Sequence, residues 1–210
     1  LKASLYGDVK ILYPMVCDVT EVVQANETLE KIKDEFRLKQ IPFNEEIEVG
    51  AMIETPSSAI CADLLLKEVD FISIGTNDLI QYLLAVDRIN ENVAHLYKPF
   101  HPSVLKTLKS IFEAAKAAGK KVSICGELGG DPMATLFLLG LGNLTDLSMD
   151  PHSIPKVKKI ICQSSMKEAK QIADHVLALG SADEINNFLG EEMWKRFPSD
   201  FPGRPSLEKI

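Results

Sequence analysis

The sequence contains no run of about 18 apolar residues, so no segment is expected to cross a bilayer as a helix. It has no basic cluster either. Its 30 acidic residues outweigh 23 basic ones, giving a net charge of −7. A chain of that sign, without a Lys/Arg run, has nothing with which to track a nucleic-acid backbone or to settle on an anionic membrane. Nucleic-acid partners and membrane insertion are therefore not expected. Cysteine is sparse: Cys17, Cys61, Cys125 and Cys162 stand far apart with no C-x-x-C spacing. That excludes the usual zinc and disulfide frameworks and fits a reducing, cytoplasmic setting. The opening residues, Leu1-Lys2-Ala3-Ser4, carry neither an initiator Met nor a signal-peptide pattern, so the chain is expected to be a piece of a longer protein. Low-complexity tracts and short-period repeats are also missing.

What is present is ordinary globular composition, 46% hydrophobic and 25% charged, at a length that can bury a sizeable core. Five short apolar segments read as strands: Lys10 to Met15, Ile47 to Glu54, Asp70 to Ile74, Lys121 to Cys125 and, more weakly, Thr145 to Met149. Between them lie helical patterns. One opens at the capping-box sequence Asp18-Val19-Thr20-Glu21 and runs to about Leu38. A second starts at Thr55-Pro56 and runs through Leu66, and a third covers Leu79 to Leu84, capped by Asn77 or Asp78. A fourth spans Pro102 to Ala118 and stops at Gly119, and a fifth is capped by Asp131 and ends near Leu139. Helices at about 154–162, 166–178 and 182–196 close the chain, followed by a Pro-rich tail. One domain over 1–198 with a loose tail at 199–210 is the expected organisation. Strands alternating with helices imply βα units and a parallel sheet, open or barrelled.

The chemistry-bearing residues gather at one kind of place. Glu54 ends a strand, Asn77 and Asp78 lie just past one, and Cys125 ends another with Glu127 two residues on. In parallel α/β folds the carboxyl ends of the strands share a face, and that face carries the site. Glu54 follows the apolar Ala51-Met52-Ile53, where a carboxylate is costly unless it meets a cation: a Lys or Arg, or a metal shared with Asp78. Gly75-Thr76-Asn77-Asp78 is either an ordinary turn and cap or a helix N-terminus offering amides to an anion. Arg88 either reaches back to an anionic ligand or pairs with Asp87 or Glu91. Cys125 is either an inert small hydrophobe or a thiol that exchanges a proton at the strand mouth. The four histidines, His95, His101, His152 and His175, lack metal-ligand spacing and read as surface or loop residues.

Phe71-Ile72-Ser73-Ile74-Gly75-Thr76-Asn77-Asp78-Leu79-Ile80-Gln81-Tyr82, followed by Ala85-Val86-Asp87-Arg88, resembles the signature of the phosphoenolpyruvate-utilising enzymes. Gly50 to Pro56 and Ile124-Cys125-Gly126-Glu127-Leu128 resemble that family's other strand-end motifs. Weaker stretches also match: Leu12 to Met15, His95-Leu96-Tyr97 with Pro102 to Leu105, and Leu147-Ser148-Met149 with Ser153-Ile154-Pro155. The likeness covers roughly residues 1–180 and is strongest to the Enzyme I branch of the bacterial sugar phosphotransferase system.

The resemblance implies a phosphoenolpyruvate-type TIM (β/α)8 barrel, here incomplete with about five of its parallel strands. It implies that Glu54 and Asp78 ligate Mg2+. Asn77, with the backbone amides of Asn77 and Asp78, would hold the phosphate of phosphoenolpyruvate, and Arg88 would clamp the transferring phosphoryl group. Cys125 would be the acid that protonates C3 of the enolate as pyruvate leaves. It further implies transfer to a protein histidine and on to a histidine-containing phosphocarrier protein through a missing N-terminal half, and a homodimer. The strands that carry the family's phosphate- and carboxylate-binding arginines and lysine would precede Leu1, so the chain alone is expected to be inactive. A phosphoenolpyruvate synthase or pyruvate phosphate dikinase-like enzyme is the alternative within the family. A non-catalytic dimerisation or regulatory module is the alternative outside it.

Overall fold

The computed structural model describes residues 1–201. Its sheet has five strands: β1 Ile11–Tyr13, β2 Val49–Ile53, β3 Phe71–Gly75, β4 Lys121–Cys125 and β5 Leu144–Leu147. All neighbours are parallel and the spatial order is β1-β2-β3-β4-β5. That order answers the question the sequence leaves open. Each crossover steps the same way, so every connecting helix falls on one face, and no point exists at which the winding reverses. This is the winding of a (β/α) barrel, stopped before closure with β1 and β5 as edges.

Alternation along the strands separates two faces. Ala51, Ile53, Ile72, Ile74, Val122 and Ile124 are fully buried beneath the helices. The opposite, concave face carries Gly50, Phe71, Ser73, Ser123 and Cys125, with Ser73 opposite Ser123 and Gly75 opposite Cys125. The Phe71 ring fills the hollow left by Gly50, where a Cβ would stand 2.5 Å from ring carbons.

The helices are α1 Val19–Leu38, α2 Pro56–Ile60, α3 Ala62–Leu65, α4 Thr76–Leu84, α5 Pro102–Ala118, α6 Glu127–Gly130, α7 Thr135–Gly140, α8 Ile154–Cys162, α9 Met166–Ala178 and α10 Ala182–Arg196. The Asp18–Glu21 capping box forms as expected, and α5 stops at Gly119 in the left-handed conformation that a helix C-terminus favours. Three local expectations are corrected. The helix expected over 55–66 breaks at Cys61 into α2 and α3. Asp131 does not cap α7; its carboxylate accepts the Met133 amide in the preceding turn, and α7 begins only at Thr135. Asn77 and Asp78 do not cap a helix starting at Leu79. Instead α4 begins at Thr76 directly after β3, which puts both residues inside its first turn. None of the described helices is long and apolar enough to span a membrane.

The Pro-rich tail lies mostly outside the described residues. Its first part is held down: Lys159 pairs with Asp200 at 2.5 Å, and Lys156 sits 4.2 Å over the Phe201 ring. Helix α7 crosses α9 at close range. Gly140 there lies so near Ala169 that an added Cβ would collide with its carbonyl and stand 2.7 Å from the Ala173 Cβ. Because backbone cannot yield as a side chain tip can, Gly140→Ala is expected to cost about 2–3 kcal/mol, a fall of roughly 5–10 °C in thermal midpoint by calorimetry.

Candidate functional site

The site begins at Glu54, one residue past β2. Its side chain is buried, 5% exposed. It lies over Gly75, where a Cβ would come 2.6 Å from Glu54 Oε2 and 3.0 Å from Met52 Sδ. Glycine at the end of β3 is therefore what makes room for this carboxylate. One oxygen accepts the Met15 amide at 2.7 Å. Met15 sits at φ 52, a conformation uncommon for a side-chain-bearing residue and one that places its N–H against the carboxylate. No Lys or Arg pairs with Glu54 among the described residues. The neighbouring charge is instead another carboxylate, Asp78. Burial pushes the Glu54 carboxyl above the usual carboxylate range; the Met15 amide opposes this, and Asp78 adds to it.

Asn77 and Asp78 occupy the first turn of α4, whose leading amides lack intrahelical acceptors. The Asn77 side chain has a fixed sense. Its Oδ1 accepts the Glu127 amide at 2.9 Å, which only an oxygen can do, so Nδ2 is left as the outward donor. Thr76 donates its hydroxyl to the Cys125 carbonyl at 2.8 Å, tying the start of α4 to the end of β4. Gly126, at φ 89, lets these groups meet: a Cβ there would stand 2.6 Å from Thr76 Oγ1 and 2.8 Å from Asn77 Oδ1.

Cys125 ends β4 on the concave face, half-buried. Its thiol lies 3.4 Å from the Ile74 carbonyl and 3.6 Å from the Ser73 hydroxyl. Arg88 is brought back by the turn after α4, where Ala85 adopts the left-handed conformation at φ 52. Its guanidinium stands 3.8 Å from both Asp78 and Glu127, and among the described residues it pairs with neither Asp87 nor Glu91. Glu54, Asn77, Asp78, Arg88 and Cys125 thus converge at the carboxyl ends of β2, β3 and β4. A hollow of about 390 Å³ opens beside them, lined by Asn77, Gly126, Glu127, Asp131, Ser148 and Asp150.

Two carboxylates face each other, one of them buried without a cation, and no group of three or more acidic, histidine or cysteine ligands exists among the described residues. That suits Mg2+, which takes one or two protein carboxylates and completes its shell with substrate oxygens and water. It does not suit a closed all-protein zinc cage.

The Met15 amide, the Thr76 hydroxyl, Tyr97 and Glu127 join the site only through the fold. Glu127 carries a sequence signal as a strand-end residue. Tyr97 lies in one of the weaker matching stretches. The Met15 amide has no residue-type signal at all, since its contribution is backbone.

The sequence model of the PEP-binding domain of PEP-utilising enzymes matches residues 1–166. This chain belongs to that family. It is 49% identical over 189 residues, 90% of its length, to a phosphoenolpyruvate-protein phosphotransferase of Buchnera aphidicola subsp. Baizongia pistaciae. It is 47% identical over 191 residues, 91% of its length, to the protein of that name from Haemophilus influenzae. Each match covers 33% of the relative, so the chain spans about a third of these proteins. Among solved structures, a citrate lyase from Burkholderia xenovorans aligns at a TM-score of 0.52 and 16% identity, over 94% of this chain and 65% of that one. A pyruvate kinase from Cryptosporidium parvum aligns at 0.51 and 13%, over 88% and 39%. These two share the fold, a TIM-type α/β barrel of which this chain forms five unclosed strands.

Proposed function

We propose that this chain is part of the phosphoenolpyruvate- and magnesium-binding barrel of a phosphoenolpyruvate-protein phosphotransferase. Such an enzyme passes the phosphoryl group of phosphoenolpyruvate to a protein histidine and releases pyruvate, the first step of sugar phosphotransfer. One observation supports the reading: the buried carboxylate of Glu54, with no cation paired to it among the described residues, faces Asp78 at a helix N-terminus, with an arginine and a thiol at the mouths of the adjacent strands. The relatives' shared name favours this over a phosphoenolpyruvate synthase or pyruvate phosphate dikinase.

In this reading Glu54 and Asp78 hold Mg2+, which when bound offsets negative charge on the phosphate and the departing oxygen. Asn77 Nδ2 and the Asn77 and Asp78 amides hold phosphate oxygens, helped by the positive end of the α4 dipole. Arg88, held only at 3.8 Å by its two carboxylates, is free to turn its fork onto the phosphoryl group in flight. The P–O bond to the enolate breaks as an N–P bond forms at the acceptor histidine. The enolate then takes a proton at C3 from Cys125 Sγ, giving pyruvate and a thiolate that water reprotonates. The same reading carries a cytoplasmic location, a homodimer and a histidine-containing phosphocarrier as downstream partner.

The test is a chimera in which this chain replaces the corresponding third of the Haemophilus influenzae relative. With labelled phosphoenolpyruvate and Mg2+ it is expected to acquire an acid-labile phosphohistidine and to release pyruvate. A folded chimera that does neither would overturn the proposal.

A further inference from the structure

Tyr97 belongs to none of the roles above, yet its hydroxyl donates to the Asn77 carbonyl at 3.3 Å. That carbonyl and the Asp78 amide are the two ends of one peptide group. Anything that fixes the carbonyl therefore fixes the direction of the amide, and a hydrogen bond at the oxygen strengthens the N–H as a donor. The ring is set from both sides. It packs against the hydrophobic core, and it follows the short 3-10 turn Ala94–Leu96. Just beyond it, His101 caps α5 by accepting the Ser103 amide, and Lys98 reaches Asp183 of α10 at 3.4 Å. The segment that carries Tyr97 is thus anchored to two other helices.

Resting on the phosphotransferase reading, we propose that Tyr97 is a positioning residue: its hydroxyl aims the Asn77–Asp78 peptide so that the Asp78 amide meets a phosphate oxygen of phosphoenolpyruvate. Asn77 is then held at two points. The Glu127 amide fixes its side-chain carbonyl and Tyr97 fixes its backbone carbonyl, while Nδ2 stays available as a donor and the Asp78 N–H lies in the first turn of α4, where amides lack intrahelical acceptors. The phenol remains the donor in this contact at any working pH. Burial and the nearby Glu127 push its pKa up to about 12 despite the opposing pull of Arg88.

The experiment compares Tyr97→Phe and Tyr97→Leu with the unaltered chimera. Tyr97→Phe keeps the ring and removes only the hydroxyl. One hydrogen bond of ordinary strength predicts a rise of about fivefold in KM for phosphoenolpyruvate with kcat within about twofold, because the amide holds phosphate equally before and during transfer. The Mg2+ dependence should not move. As a readout apart from turnover, the Asp78 amide proton, followed by NMR in this chain, should shift upfield in Tyr97→Phe. If Tyr97→Phe matches the unaltered chimera in KM while Tyr97→Leu is impaired, Tyr97 is only packing and the proposal falls. If the unaltered chimera makes no pyruvate, the phosphotransferase reading has failed, and this proposal fails with it.

Discussion

Replacing Cys125 by alanine in the chimera is expected to lower pyruvate formation by about 10²–10⁴-fold and to leave Mg2+ binding intact. The magnitude is that of removing a positioned general acid. In the proposed reaction the enolate that departs when the P–O bond breaks is basic at C3, and a proton delivered there completes pyruvate. Cys125 Sγ stands on the concave face at the mouth of β4, with the Ile74 carbonyl 3.4 Å and the Ser73 hydroxyl 3.6 Å away. Neither contact holds the fold together. The thiol is half-buried, the β3–β4 ladder is backbone, and the flanking core residue Ile124 points to the other face. The substitution should therefore cost stability no more than about 1 kcal/mol. Coupled assay of pyruvate and titration of Mg2+ by calorimetry separate the outcomes. Normal turnover would remove the thiol from the mechanism. Loss of turnover together with loss of Mg2+ binding would mean the site had collapsed rather than lost an acid.

The parts of this site differ in how readable they were, and the differences have physical causes. Helix ends were legible where side chains make the cap: Asp18 with Glu21, and Gly119 in its left-handed position, fall where the residue types say they should. The start of α4 was not, because Gly75 lends no side chain to a cap and the helix begins on backbone alone. Asn77 and Asp78 therefore lie within the first turn, with side chains that meet Glu127, Glu54 and Arg88 rather than capping the helix. Arg88 shows the same limit. Local sequence offered it Asp87 and Glu91, but the left-handed Ala85 turns the chain so that it faces Asp78 and Glu127 instead. A turn by a non-glycine residue leaves no mark in composition. The parallel sheet was readable from strand–helix alternation, but barrel winding was not. It rests on strand order, a long-range property that periodicity does not encode. Motif resemblance joins strand-end residues that spacing alone does not connect, and the strand order sets the ends of β2, β3 and β4 side by side.

Glu54→Gln should separate stability from function. In the folded chain burial raises the Glu54 carboxyl above its unfolded value, with Asp78 adding to the shift. Between the unfolded and the raised folded value the native state binds more protons, so stability falls as pH rises through that window and stays lower above it. Glutamine cannot ionise. Its Oε1 still accepts the Met15 amide, and its Nε2 can donate to Asp78, turning a repulsion into a hydrogen bond. In the absence of divalent ions at pH 8, Glu54→Gln is therefore expected to be more stable than the parent by about 1 kcal/mol, or roughly 2–4 °C. The gain should shrink as pH falls through the same window and vanish once Glu54 is protonated in both states. Mg2+ reverses the ranking. It should raise the parent's thermal midpoint by mass action, more strongly at higher pH because the ligand must lose its proton, and should leave Glu54→Gln unmoved. Pyruvate formation by the chimera carrying the substitution should fall by about 10²–10³-fold. A substituted chain that is less stable than the parent at pH 8 would show that the carboxylate is already compensated. Equal stabilisation of both by Mg2+ would show that Glu54 is no ligand. Each result bears on the feature from which the site is built: a carboxylate that the apolar end of β2 and the gap at Gly75 hold out of water, at a cost that either a proton or a bound cation would relieve.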